Sequence, residues 1–125
     1  MDAINSNYEL LLRELTDSIP GAVSASLTGT DGIGIAFYNI DPNFDPTLAD
    51  AEFATMLGTA SRAANNLTVG GLSELIFTTE KITIILRMIG KDFYLGVGMQ
   101  GGVGNIGMAR LQMRRAVEAF HKALY

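Results

Sequence analysis

The run Gly96-Val97-Gly98-Met99-Gln100-Gly101 has the G-x-G-x-x-G spacing that lets a backbone close on a dinucleotide pyrophosphate, and it lies between a strand-like and a helix-like segment. A dinucleotide fold also needs a parallel strand after that helix, with an acidic residue near its end, and here the sequence finishes within the helix. The glycines therefore predict close packing. Gly96 and Gly98 relieve crowding where the strand meets a helix, and Gly101, Gly102 and Gly104 make a flexible connection. No G-x-x-x-x-G-K-[ST] string occurs, so the chain is not itself a P-loop GTPase. Two carboxylate pairs, Asp41 with Asp45 and Glu74 with Glu80, have the residue type for acid-base catalysis. Asp41 and Asp45 each precede a proline, however, and read as turn and cap residues. His121 is the only histidine, so a two-histidine site cannot exist within one chain and a Ser-His-Asp triad would depend on that near-terminal residue. It reads as a solvated position near the negative end of a helix. With no cysteine there is no disulfide, thiolate zinc site or cysteine nucleophile. The expectation is a non-enzyme with no cofactor and no metal.

The 125 residues, 48% apolar and 18% charged, suit one folded domain spanning positions 1–125. Net charge is −4, yet Arg110, Arg114, Arg115 and Lys122 outnumber Glu118 in the last stretch, so the negative excess lies upstream. Most of such a surface repels nucleic acid. The basic stretch reads as a solvated helix face, with an acidic partner as the alternative. No apolar run reaches the ~18 residues of a membrane span, and the segment Met1 to Asn7 is too polar for a signal peptide. No membrane insertion and a cytoplasmic location are expected.

The elements that would position these residues follow from periodicity. Ser6 and Glu9 form a capping box, and Tyr8, Leu11, Leu12, Leu15 and Ile19 recur at helical spacing up to Pro20-Gly21. Val23, Ala25 and Leu27 alternate with serines, and Ile33, Ile35 and Phe37 alternate with Gly34 and Ala36. The intervening Thr28 to Gly32 marks a hairpin. Asp45 as N-cap and Pro46 at the first position open a second helix. Its apolar side is Ala49, Phe53, Met56, Leu57, Ala60, Ala64 and Leu67, and Glu52, Thr55, Thr59, Arg62 and Asn66 line the other. Gly70-Gly71 ends it. Three strand-like runs follow, Leu72 to Thr78, Ile82 to Ile89 and Phe93 to Met99, forming a meander. The middle run is apolar at both parities, which requires cover on both faces of the sheet. Asn105 caps a last helix with Ile106, Ala109, Met113, Val117, Phe120 and Leu124 inward. The order is α-β-β-α-β-β-β-α, an α+β domain.

On that order, and on Ile19-Pro20-Gly21, Ala22-Val23-Ser24-Ala25, Asp31-Gly32, Ile35-Ala36, Glu74-Leu75 and Asn105-x-Gly107-x-x-Arg110, the chain resembles the Roadblock family of dynein light chains and bacterial MglB-type regulators. The match runs from about residue 6 to 122 and departs in the Asn39 to Pro46 segment and in the glycine-rich approach to Asn105. The resemblance implies a five-stranded antiparallel sheet, with the second helix on one face and the terminal helices on the other, in a Roadblock/profilin-like arrangement. It implies a homodimer whose third strands pair edge to edge, placing Leu72, Glu74, Ile76 and Thr78 at the interface, with the second helices packed into one platform. In MglB-like members that platform binds a Ras-like small GTPase and promotes its nucleotide turnover by adjusting the GTPase's own residues. Glu52, Thr55, Thr59, Arg62 and Asn66 are then the expected contacts. Two alternatives remain: a dynein-light-chain-like scaffold that leaves GTP hydrolysis unchanged, and a small-molecule sensor with a closed polar pocket beneath Gly96 to Gly104.

Overall fold

The computed structural model describes residues 2–101 and 105–125, with side chains from residue 7 onward, so Gly102 and Gly104 lie outside the described residues. Its elements are α1 (Asp2–Asp17), β1 (Ala22–Gly29), β2 (Gly34–Asn39), α2 (Pro46–Asn66), β3 (Glu74–Thr78), β4 (Ile82–Ile89), β5 (Phe93–Gln100) and α3 (Ile106–Leu124). The order is the expected one. Helix α1 nevertheless starts upstream of the expected capping box, so Ser6 and Glu9 lie inside it and do not form its cap. No glycine or proline precedes Ser6, so nothing in residues 2–5 stops the helix from extending through them. Gly21, at φ 84°, supplies the left-handed residue that turns the chain from Ile19-Pro20 into β1.

The strands form one antiparallel sheet in the order β2-β1-β5-β4-β3, which leaves β2 and β3 as its edges. Alternation across the central strands divides two cores. On one face Leu27, Ile85, Ile89, Leu95, Val97 and Met99 pack with Leu12 and Leu15 of α1 and Met113 and Phe120 of α3. On the other, Ile84, Leu86 and Tyr94 meet Leu57 and Phe53 of α2. This is the two-sided cover that the apolar run in β4 requires. Leu12 and Phe120 are fully buried, each contributing about 1.5–3 kcal/mol of apolar transfer free energy.

Both later helices start as expected. Asp45 Oδ1 accepts from the Thr47 and Leu48 amides, and Asn105 Oδ1 accepts from the Met108 amide. Two residues expected inward are outside instead: Leu67 is 69% exposed and Ile106 is 41% exposed. Ile106 is the first residue of α3, ahead of the turn that reaches the sheet with Ala109. Leu67 is the C-cap of α2, and Leu57 is the last residue of that helix to be fully covered. The far half of α2 thus outruns the surface that buries its near half.

Candidate functional site: the α2 face and the open β3 edge

The polar row on α2 is exposed along its length and partly tied together. Thr55 Oγ1 donates to the Ala51 carbonyl (3.1 Å), Thr59 Oγ1 donates to the Thr55 carbonyl (3.2 Å), and Arg62 Nη2 donates to Thr59 Oγ1 (3.3 Å). The bond from Arg62 to Thr59 lays the exposed guanidinium along its own helix. Beside the row stands the β1–β2 turn. Gly32 rests against α2, where a Cβ would lie 3.7 Å from the Ala54 Cβ in ordinary van der Waals contact, and its φ of 89° is what favours glycine.

Between that turn and α2 runs an open groove of about 530 Å³ lined by Thr30, Asp31, Ile33, Thr55, Thr59 and Arg62, with Gly32, Ala51, Ala54 and Gly58 as its floor. The structure therefore joins three of the five expected contacts to the hairpin. Glu52 and Asn66 are exposed but lie outside the groove. The hairpin joins the groove only in the structure, where Ile33 of its turn stands 68% exposed.

Among the described residues, strand β3 has no neighbour on its outer side. The Met88 amide donates to the Ser73 carbonyl (2.9 Å) and the Thr79 amide to the Ile82 carbonyl (2.8 Å), so odd-numbered residues bond β4. By alternation Glu74, Ile76 and Thr78 turn their backbone N–H and C=O outward. Leu72 precedes the strand and packs against the α2-side core. The Glu74 side chain turns inward to two ion pairs, with Arg87 Nη1 (2.7 Å) and Arg110 Nη2 (2.7 Å). Glu74 thus offers an interface its backbone, while its carboxylate is engaged internally.

The remaining candidates take structural roles. Asp41 Oδ1 accepts from the Asn43 amide in a turn, and Asp45 is the cap already described. Glu74 and Glu80 sit at opposite ends of β3. His121 is exposed and stacked on Tyr125 with ring centroids 4.6 Å apart. Gly96 and Gly98 relieve crowding from neighbouring strands more than from a helix. A Cβ on Gly98 would lie 2.7 Å from Ser24 Oγ and 3.2 Å from Ile82 Cδ1. Beneath α2 these glycines floor a cavity of about 10 Å³, walled by Ser24, Ser26 and Asp50, which has room for one water. No group of three or more metal-ligating side chains occurs among the described residues.

Asp50 is the residue the periodicity reading passed over. It lies on the buried side of α2, 8% exposed, where its Oδ1 accepts from Thr28 Oγ1 (2.9 Å) and its carbonyl accepts from the Tyr94 hydroxyl (3.1 Å). Burial pushes its carboxyl above the usual aspartate range, and the Thr28 hydrogen bond opposes that only in part.

No protein-family model and no curated protein matches the chain. Solved structures do. Myxococcus xanthus MglB superposes with a TM-score of 0.86 at 17% identity, covering 95% of this chain and 95% of that one. A Roadblock/LC7 domain from Streptomyces avermitilis gives 0.85 at 16% identity, over 93% and 96%. An MglB in a tetrameric arrangement gives 0.85 at 18% identity, over 94% and 88%. With a sheet ordered β2-β1-β5-β4-β3 between α2 on one face and α1 and α3 on the other, the chain has the Roadblock/LC7 fold.

Proposed function

We propose that the protein is a non-catalytic regulatory homodimer that binds a Ras-like small GTPase and modulates its nucleotide cycle. The observation that carries this reading is the groove in which Thr55, Thr59 and Arg62 face the Thr30 to Ile33 turn, on a fold shared with MglB. A hairpin turn beside a helix that presents an exposed guanidinium suits a folded protein partner. Arg62 can hold a carboxylate there, and Ile33 can fill an apolar hollow. The homodimer rests on the open β3 edge, where Glu74, Ile76 and Thr78 present unpaired backbone groups, and on Leu67 and Val69, which stand exposed at the far end of α2. The existence of an oligomeric MglB of the same fold supports it. No helix among the described residues is long and apolar enough to cross a membrane, and cytoplasmic work with a soluble GTPase is the setting we infer.

The test is titration of the protein with small GTPases of its host, each loaded with GDP or a non-hydrolysable GTP analogue. Preferential binding of one nucleotide state is expected, because only differential affinity biases a two-state switch. Equal affinity for both states would make the protein a scaffold, and binding to none would end the GTPase reading.

A further inference from the structure

Three strands converge on one residue of α2, Asp50: β1 and β2 on its carboxylate and β5 on its backbone carbonyl. Thr28 of β1, fully buried, donates its hydroxyl to Asp50 Oδ1, and Tyr94 of β5, also fully buried, donates to the Asp50 carbonyl. On the other side of the carboxylate lies β2, where a Cβ on Gly34 would sit 2.5 Å from Asp50 Oδ2. The next residues along the helix, Ala51 and Ala54, floor the partner groove against Gly32. Wherever Asp50 is held, the groove is held with it.

We propose that Asp50 is the positioning residue of the partner face, a buried clasp that seats α2 on β1, β2 and β5 and loosens when its carboxylate carries charge. The surroundings give the physical reason. Thr28 on β1 and Gly34 on β2 bring no charge, and Tyr94 on β5 is a phenol that burial keeps neutral. Asp50 has no ion-pair partner among the described residues. Among the described residues Thr28 is the one side-chain donor to the carboxylate, and one such bond, even with a single water in the adjoining cavity, only partly offsets the loss of bulk hydration. Burial sets the folded-state pKa above that of the unfolded chain. The clasp is therefore at full strength below the ordinary aspartate range and weakens as pH rises through the folded value.

This inference concerns the seating of α2 and holds or fails without any partner, so its test is separable from the GTPase titration. Hydrogen exchange of α2 amides is measured between about pH 4 and pH 8, spanning the ordinary carboxylate range and the region above it, and corrected for intrinsic rates, with α3 amides of the same molecule as internal standard. Protection in the first half of α2 should fall with rising pH while that of α3 holds steady, and Asp50→Asn should abolish the slope. Thr28→Val removes the hydroxyl donor, so it should move the midpoint to higher pH, and it serves alone if Asp50→Asn does not fold. Flat protection of α2 in the wild type overturns the proposal. So does a slope shared equally by α3, a slope that survives Asp50→Asn, or a midpoint unmoved by Thr28→Val.

Discussion

Arg110 of α3 sets Nη2 2.7 Å from the Glu74 carboxylate, while Arg87 of β4 holds the other oxygen of that carboxylate at the same distance. One acidic side chain, 14% exposed, thus ties the edge strand to its neighbour and to the early turns of the last helix. Glu74→Ala would leave two guanidiniums without their counter-ion. The expected cost is about 2 kcal/mol, because hydrogen bonds to charged groups lie at the upper end of the usual range. It is read as a lower urea midpoint at unchanged m-value, and a midpoint equal to wild type would mean that water replaces the carboxylate without loss.

Ile76→Pro probes the β3 edge, and it also removes the packing of the partly buried Ile76 side chain on the α1 and α3 side of the sheet. The Ile76 amide points away from β4, so proline there removes no bond of the existing ladder. Light scattering should give twice the chain mass for wild type and the chain mass for the variant, with the circular dichroism spectrum preserved. A variant that stays dimeric would move the interface off this edge.

Arg62→Ala addresses the groove. The side chain is exposed and, among the described residues, bonded only to Thr59 on its own helix, so fold and dimer should be untouched. If the guanidinium is an anchor for the GTPase, its loss should weaken binding by about 2 kcal/mol, roughly 30-fold, with no change in melting temperature. Affinity equal to wild type would remove Arg62 from the contact set.

Gly98 tests the close-packing account of the glycine run. A methyl there would meet Ser24 Oγ and Ile82 Cδ1 on the α2 side of the sheet, two side-chain ends that must turn aside, so Gly98→Ala should cost about 1 kcal/mol. Gly71→Ala, where nothing lies within 4 Å of the added carbon, is the control and should leave the melting temperature unchanged. Equal melting temperatures for the two variants would mean that Gly98 serves no packing purpose.

What could be read in advance was local or periodic. Asp45-Pro46 and Asn105 announce their helices because a cap is a bond between near neighbours, and the apolar run of β4 announces two-sided cover because alternation is a property of a single strand. The structure differs where the chain upstream or a second element decides. Ser6 looked like a cap because it starts a capping string, but nothing upstream of it stops a helix. Leu67 has the right phase to face the sheet and finds no sheet beneath it. The pairing of Glu74 with Arg110 depends on α3 crossing near β3, which no spacing encodes. Asp50 left a trace: a carboxylate in phase with Phe53 and Leu57, on the apolar side of an amphipathic helix, signals a buried partner even when that partner, Thr28, cannot be named.

Leu67 and Val69, 69% and 72% exposed, stand at the same end of the chain's path as the entry to the open strand β3. A solitary copy therefore displays an apolar tip and an unpaired backbone ladder together, the two features by which chaperones and proteases recognise an unfinished molecule. In the proposed homodimer, covering both in one event would tie the lifetime of each copy to its assembly, and steady-state abundance would follow the concentration at which copies meet.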